Sequence, residues 1–132
     1  MRIIIAGGGE FGVRLAESLA KGNDIILIEK DEGRAEYLGE KLNSIVLFGD
    51  AVDKNVLKHA NAEKCDALFA VTTDDRVNSE ICDLAKSFGI KKVAARLNDP
   101  EKTELFAKSE AATINIVDSA VREFMKAIEK HK

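Results

Sequence analysis

The sequence predicts a doubly wound α/β fold, six parallel strands in the order 3-2-1-4-5-6 with helices on both faces. Three observations carry this. Six short runs rich in Ile, Val, Leu and Phe alternate with helical patterns along 132 residues. The runs are continuously apolar rather than alternating, as strands covered on both faces require. The first run leads straight into a spaced-glycine turn that opens a helix, and right-handed crossovers then set the order of the strands.

Taken in order, Arg2-Ile3-Ile4-Ile5-Ala6 is the first strand. Gly7-Gly8-Gly9-Glu10-Phe11-Gly12 follows and fits G-x-G-x-x-G at Gly7, Gly9 and Gly12. The next helix places Gly12, Leu15, Ala16 and Leu19 on one face. Asn23-Asp24 breaks it, and Ile25 to Ile28 is a second strand closed by Glu29. Asp31 caps a helix to about Leu42, with Ala35, Leu38 and Leu42 inward. Ile45 to Phe48 is the third strand, ended by Gly49-Asp50, and a short helix from Asp53 buries Val56, Leu57 and Ala60. Ala67 to Val71 is the fourth strand. Thr72 to Asp75 caps a helix with Val77, Ile81, Leu84, Ala85 and Phe88 at helical spacing, and Gly89 stands where a helix-ending glycine belongs. Lys92 to Leu97 is the fifth strand. Asn98-Asp99-Pro100 opens a helix to about Lys108. Thr113 to Val117 is the sixth strand, and Asp118 or Ser119 caps a last helix running nearly to Lys132.

The chemistry of the first turn follows from its backbone. Gly7 permits the tight turn, Gly9 lets a pyrophosphate approach the main chain, and Gly12 lets the helix pack closely. The first N–H groups of the helix lack intrahelical acceptors and carry the positive end of its dipole, which suits a phosphate. Glu29, at the end of the second strand, is placed to accept hydrogen bonds from ribose hydroxyls and to repel a 2′-phosphate. This is the context that makes G-x-G-x-x-G a dinucleotide fingerprint. The switch point of the predicted order lies between strands 1 and 4. Ligand-binding residues therefore come from Gly7–Gly12, Glu29-Lys30, Gly49-Asp50 and Thr72-Thr73-Asp74.

Composition narrows the classes. Hydrophobic residues are 45% and charged residues 33%, ordinary for a globular domain with a real core. A net charge of −3 without a basic block argues against a nucleic-acid partner. No apolar run approaches the roughly 18 residues that span a bilayer. Met1 enters the first strand directly, so no signal peptide is expected and the chain is read as cytoplasmic. Cys65 and Cys82 have no zinc spacing and are expected as reduced thiols. His59 and His131 are expected as surface residues; Cys82 is expected between core positions and Cys65 away from the strand ends. No catalytic or metal-binding residue is assigned.

Several stretches together resemble the TrkA-N domain, also called the KTN or RCK N-terminal lobe, of regulators of potassium transporters and channels. They are Ala6 to Gly12, Glu29-Lys30-Asp31, Gly49-Asp50-Ala51, Ala70 to Asp75 with Asn78, and Ala95 to Pro100. The fit runs from Met1 to about Val117. It divides the chain into a nucleotide-binding domain of Rossmann type at 1–117 and a crossover helix at 118–132. The family's second lobe, TrkA-C, has no counterpart before Lys132. The resemblance implies a non-enzymatic gating domain that binds NAD or NADH in its cleft, with ATP or ADP as alternatives and NADP disfavoured. It also implies a homodimer or higher homo-oligomer docked on an integral-membrane potassium transporter or channel, at the inner face of the plasma membrane and not inserted in it.

Carried over by position, the resemblance gives Gly7, Gly9 and Gly12 to the phosphates, Glu29 to the ribose and Asp50 to the adenosine end, with Gly8, Glu10, Phe11, Lys30, Gly49 and Ala51 as further cofactor-binding residues. Thr72, Thr73 and Asp74 line the opposite wall, and Arg96 meets a phosphate or another subunit. Glu10 departs from relatives that carry a base there, leaving Arg14 or Arg96 as the side-chain phosphate contact. In the last helix Val117, Val121, Phe124, Met125 and Ile128 form an apolar face, expected to pack on a partner subunit. Two other readings stay open at this point: a fragment of an NAD-dependent oxidoreductase, and a nucleotide-binding module for a partner unrelated to transport.

Overall fold

The computed structural model describes residues 1–130; the reading of His131 lies outside them. Its six strands form one parallel sheet in the order β3-β2-β1-β4-β5-β6, as predicted. They are β1 (Arg2–Ala6), β2 (Asp24–Glu29), β3 (Ile45–Phe48), β4 (Ala67–Ala70), β5 (Lys92–Leu97) and β6 (Ala112–Asn115). The helices are α1 (Glu10–Leu19), α2 (Glu32–Lys41), α3 (Lys54–His59), α4 (Asp75–Ser87) and α5 (Ile116–Glu129).

β1 is the centre of the packing. Its Ile3, Ile4 and Ile5 pair with Ile25, Ile26 and Leu27 on one side and with Ala67, Leu68 and Phe69 on the other. Because side chains alternate across a strand, Ile3 and Ile5 enter one core with Val13 and Ala16 of α1 and Leu38 of α2. Ile4 and Ala6 enter the opposite core with Leu57 of α3 and Ile81 and Ala85 of α4. Both faces of the sheet are thus covered, which is why β1 reads as an unbroken apolar run.

Local signals set the helix ends. Asp31 accepts from the Arg34 N–H, Asp53 from Asn55, and Asp74 from both Arg76 and Val77. Gly89, at φ +81°, closes α4, with the Ile90 N–H reaching the Ala85 carbonyl and the Gly89 N–H reaching Lys86.

Three expectations change. The helix opened by Asp99 and Pro100 is a 3₁₀ helix, Pro100–Phe106, rather than an α-helix to Lys108. Two of its carbonyls are taken by hydroxyls: Thr103 donates to Pro100 and Ser79 donates to Leu105. The sixth strand ends at Asn115, whose side chain caps α5 by accepting from the Asp118 N–H. The β-branched pair Ile116-Val117 is therefore helix, not strand, and the cap is neither Asp118 nor Ser119. Cys82 is fully buried and belongs to the core with Ile81 and Ala85 instead of falling between core positions.

α5 differs from the other four α-helices. None of its residues is buried, and Val117, Val121, Phe124, Met125 and Ile128 are all exposed. The apolar face predicted for this helix is present, and nothing among the described residues covers it.

Candidate functional site

The carboxyl ends of β1, β2, β3 and β4 open on one cleft of about 860 Å³. Gly7, Gly8, Gly9, Glu10, Phe11, Glu29, Lys30, Gly49, Asp50, Ala51, Thr72, Thr73, Asp74 and Arg96 all line it, together with Arg14. Its floor is apolar, from Ala6, Ile28, Val71, Val77 and Ile81. Gly12, singled out with the other glycines, does not line the cleft. It lies buried behind the loop, where an added Cβ would stand 1.8 Å from the Gly7 carbonyl oxygen. Its role is to let α1 rest on the backbone of the loop.

The other glycines divide the work. Gly7 sits at φ +123°, a conformation that disfavours side chains, and is pressed against the backbone of Val71 and Thr72. At Gly8 an added Cβ would meet the Glu29 side chain at about 3.0–3.1 Å, so the acid lies directly against the loop. At Gly9 an added Cβ would meet nothing within 4 Å. Gly9 is also the N-cap of α1 and supplies no capping side chain. Among the described residues, α1 is the only α-helix whose N-terminus no side chain caps. Its first two residues, Glu10 and Phe11, line the cleft, and a helix N-terminus without a capping side chain leaves N–H groups that suit an anion.

The opposite wall is held by side chains. Asn78, fully buried, accepts from the Thr72 N–H at 3.0 Å and the Thr72 hydroxyl at 2.6 Å. Its amide donates to the Thr72 and Arg96 carbonyls at 3.0 and 2.9 Å, so every polar position of the side chain is used. Asp75, also buried, accepts from the Asn98 N–H and amide and from the Asp99 N–H. Arg96 donates through Nε to Asn98 Oδ1 at 2.6 Å and lays its guanidinium over the Phe11 ring, 5.2 Å from the centroid. This contact spans the cleft from β5 to α1.

Sequence reasoning named Asp75 and Asn98 only as helix-capping positions and, with Asn78, within the resemblance, giving none of them this role, and it passed over Arg34. The Arg34 guanidinium donates to the Gly8 carbonyl and ties α2 to the loop. Asn78 stands at helical spacing from Ile81 and Ala85 on the apolar face of α4, which was the available signal for it, whereas Asp75 between Asp74 and Arg76 gave none. Nothing in the spacing pointed to Arg34.

The thiols are poor nucleophiles. Burial pushes Cys82 up to about 12, with Asp83 adding to the effect, and burial also raises Cys65. Among the described residues no histidine or cysteine lines the cleft and no acidic, histidine or cysteine cluster could hold a metal ion. Among them, too, no helix is long and apolar enough to cross a membrane.

The TrkA-N domain model matches residues 3–118. A Trk system potassium uptake protein TrkA homolog of Archaeoglobus fulgidus is 45% identical over 101 residues, covering 76% of this chain and 23% of that protein. The TrkA-N domain of the inner membrane protein ybaL from Escherichia coli superposes with a TM-score of 0.87 at 19% identity, covering 96% and 95% of the two chains. A GsuK channel bound to NAD superposes with a TM-score of 0.73 at 20% identity, over 87% of this chain and 21% of that one. These two structures share the fold. The chain spans about a quarter of the length of the Archaeoglobus relative. With its glycine loop, strand order and matched residues, this chain belongs to the TrkA-N domain family.

Proposed function

We propose that the chain is a nucleotide-sensing domain that controls a potassium transporter or channel. The observation that carries this is the uncapped N-terminus of α1 opening, past Gly9, into the cleft beside Glu29. The first-turn N–H groups of α1 take the phosphates, and Glu29 takes the ribose hydroxyls of an adenine nucleotide. NAD and NADH suit this arrangement, ADP shares its adenosine and diphosphate, and the acid disfavours the 2′-phosphate of NADP. GsuK, which shares the fold, has been solved with NAD. The name of the Archaeoglobus relative supplies the link to potassium uptake.

Control requires that the ligand favour one arrangement of the assembly over another. In this reading the uncovered face of α5 packs on a second copy, and the paired domains work at the cytoplasmic side of a membrane partner. The cleft binds and releases; no bond is made or broken in it.

The test is thermal unfolding of the purified chain with NAD, NADH, ADP, ATP and NADP. A ligand at 100 times its dissociation constant stabilises by about 2.7 kcal/mol. Stabilisation by nucleotides with a free 2′-hydroxyl, lost in a folded Gly9→Asp variant, is expected. No shift with any nucleotide overturns the reading.

A further inference from the structure

We propose that Arg34 is a positioning residue for the phosphates: it draws the Gly8 carbonyl out of the cleft and so turns the Gly9 N–H toward them. The inference rests on the nucleotide reading of the same cleft and adds to that site a residue outside its lining.

Gly8 is buried, and its carbonyl accepts from Arg34 Nε. A buried carbonyl needs such a partner. Arg34 does not line the cleft, so the bond pulls the carbonyl toward α2 and away from the ligand. Among the described residues no peptide bond is cis. In a planar trans unit the carbonyl and the following N–H point in opposite directions. The Gly9 N–H is therefore aimed the other way, and Gly9 lines the cleft. Among the described residues no protein group accepts from that N–H. An added Cβ at Gly9 meets nothing within 4 Å, so a ligand can approach it.

Arg34 is itself held in place. Asp31 accepts from its N–H at 2.8 Å, and the Asp31 N–H donates to Glu29 Oε2 at 3.3 Å. Glu29 in turn lies against Gly8. A closed circuit of Glu29, Asp31, Arg34 and Gly8 thus joins the ribose acid to the phosphate loop. α2 gains little from the base. Arg34 stands in its first turn, where the helix dipole disfavours a cation, and among the described residues it forms no ion pair. Without this hold, the run of glycines from Gly7 to Gly9 leaves the peptide free to rotate. Rotation would set the negative pole of the Gly8 carbonyl against the phosphates. Arg34 keeps the receptive orientation populated, and apparent affinity falls in proportion as that population is lost.

The experiment is calorimetric titration of ADP into the wild-type chain, Arg34→Met and Arg34→Lys, with amide NMR of each protein before ligand is added. Arg34→Met removes the donor and keeps the aliphatic stem; Arg34→Lys restores a donor. ADP is expected to bind Arg34→Met roughly tenfold more weakly, the scale of one hydrogen bond from a charged group. Most of that loss is expected to be recovered in Arg34→Lys. The Gly9 amide resonance of the ligand-free protein is expected to move in Arg34→Met and to return toward its wild-type position in Arg34→Lys. The affinity ratio is expected to hold from low to high salt, because a hydrogen bond is not screened as a distant charge is. Undiminished ADP binding by Arg34→Met overturns the inference. So does weaker binding with the Gly9 resonance unmoved, which makes Arg34 a direct contact, and so does a ratio that vanishes at high salt, which makes it a distant charge. In each of those cases the nucleotide site stands. No binding of ADP by the wild type removes the site reading and this inference with it.

Discussion

Behind the glycine loop one added carbon at Gly12 would collide with the Gly7 carbonyl, whereas on α5 the whole Phe124 side chain stands 76% exposed. Both positions are apolar and both lie on amphipathic helices. α1 buries Gly12, Val13 and Ala16 between the sheet and the loop; α5 buries nothing. The contrast separates two uses of an apolar helix face. In α1 it holds the domain together and sets the cleft. In α5 it contributes nothing to this domain's own core and is available for another surface. Sequence changes in the two regions should therefore report on different equilibria, folding in one and association in the other.

The largest effect is expected at Gly12. Gly12→Ala must displace α1 from the loop, and a loss of about 3 kcal/mol or more in urea unfolding follows from overpacking against backbone. Asn78→Ala comes next. It leaves buried groups of Thr72 and Arg96 without partners, for a loss of about 2–3 kcal/mol. Retention of wild-type stability in either variant would break the view that both cleft walls are structurally committed. On α5, Phe124→Asp with Ile128→Asp should leave the unfolding midpoint of the dilute protein within about 0.5 kcal/mol of wild type. The same double variant should reduce the mass seen by light scattering to that of one chain. A variant that unfolds instead would show that α5 serves its own domain, and the contrast would fail.

Much of the architecture was legible because it is local. The unbroken apolar runs marked the strands, and their number and alternation with helices led to the observed sheet order. Asp31, Asp53, Asp74 and Asp99 cap where their positions implied, because a cap needs only its own side chain and the next turn. Fourteen of the fifteen singled-out residues line the cleft, since the carboxyl ends of parallel strands converge at the switch point. What was not legible depends on partners far along the chain. The 3₁₀ geometry after Asp99 goes with a hydroxyl from α4 on the Leu105 carbonyl. The hold of Arg34 on Gly8 spans 26 residues and leaves no periodic trace.

The sequence by itself determined the order of the elements, the caps at Asp31, Asp53, Asp74 and Asp99, the glycine turn with its acid, and the apolar stripe of α5. These follow from backbone sterics and side-chain periodicity, which act over a few residues. Only the tertiary structure decided which glycine faces the cleft and which lies behind it, that Cys82 is core, that Asn78 and Asp75 lock the far wall, and that α5 remains uncovered. Those outcomes depend on what stands opposite each side chain after folding, and the identity of an opposing surface is not encoded in local pattern.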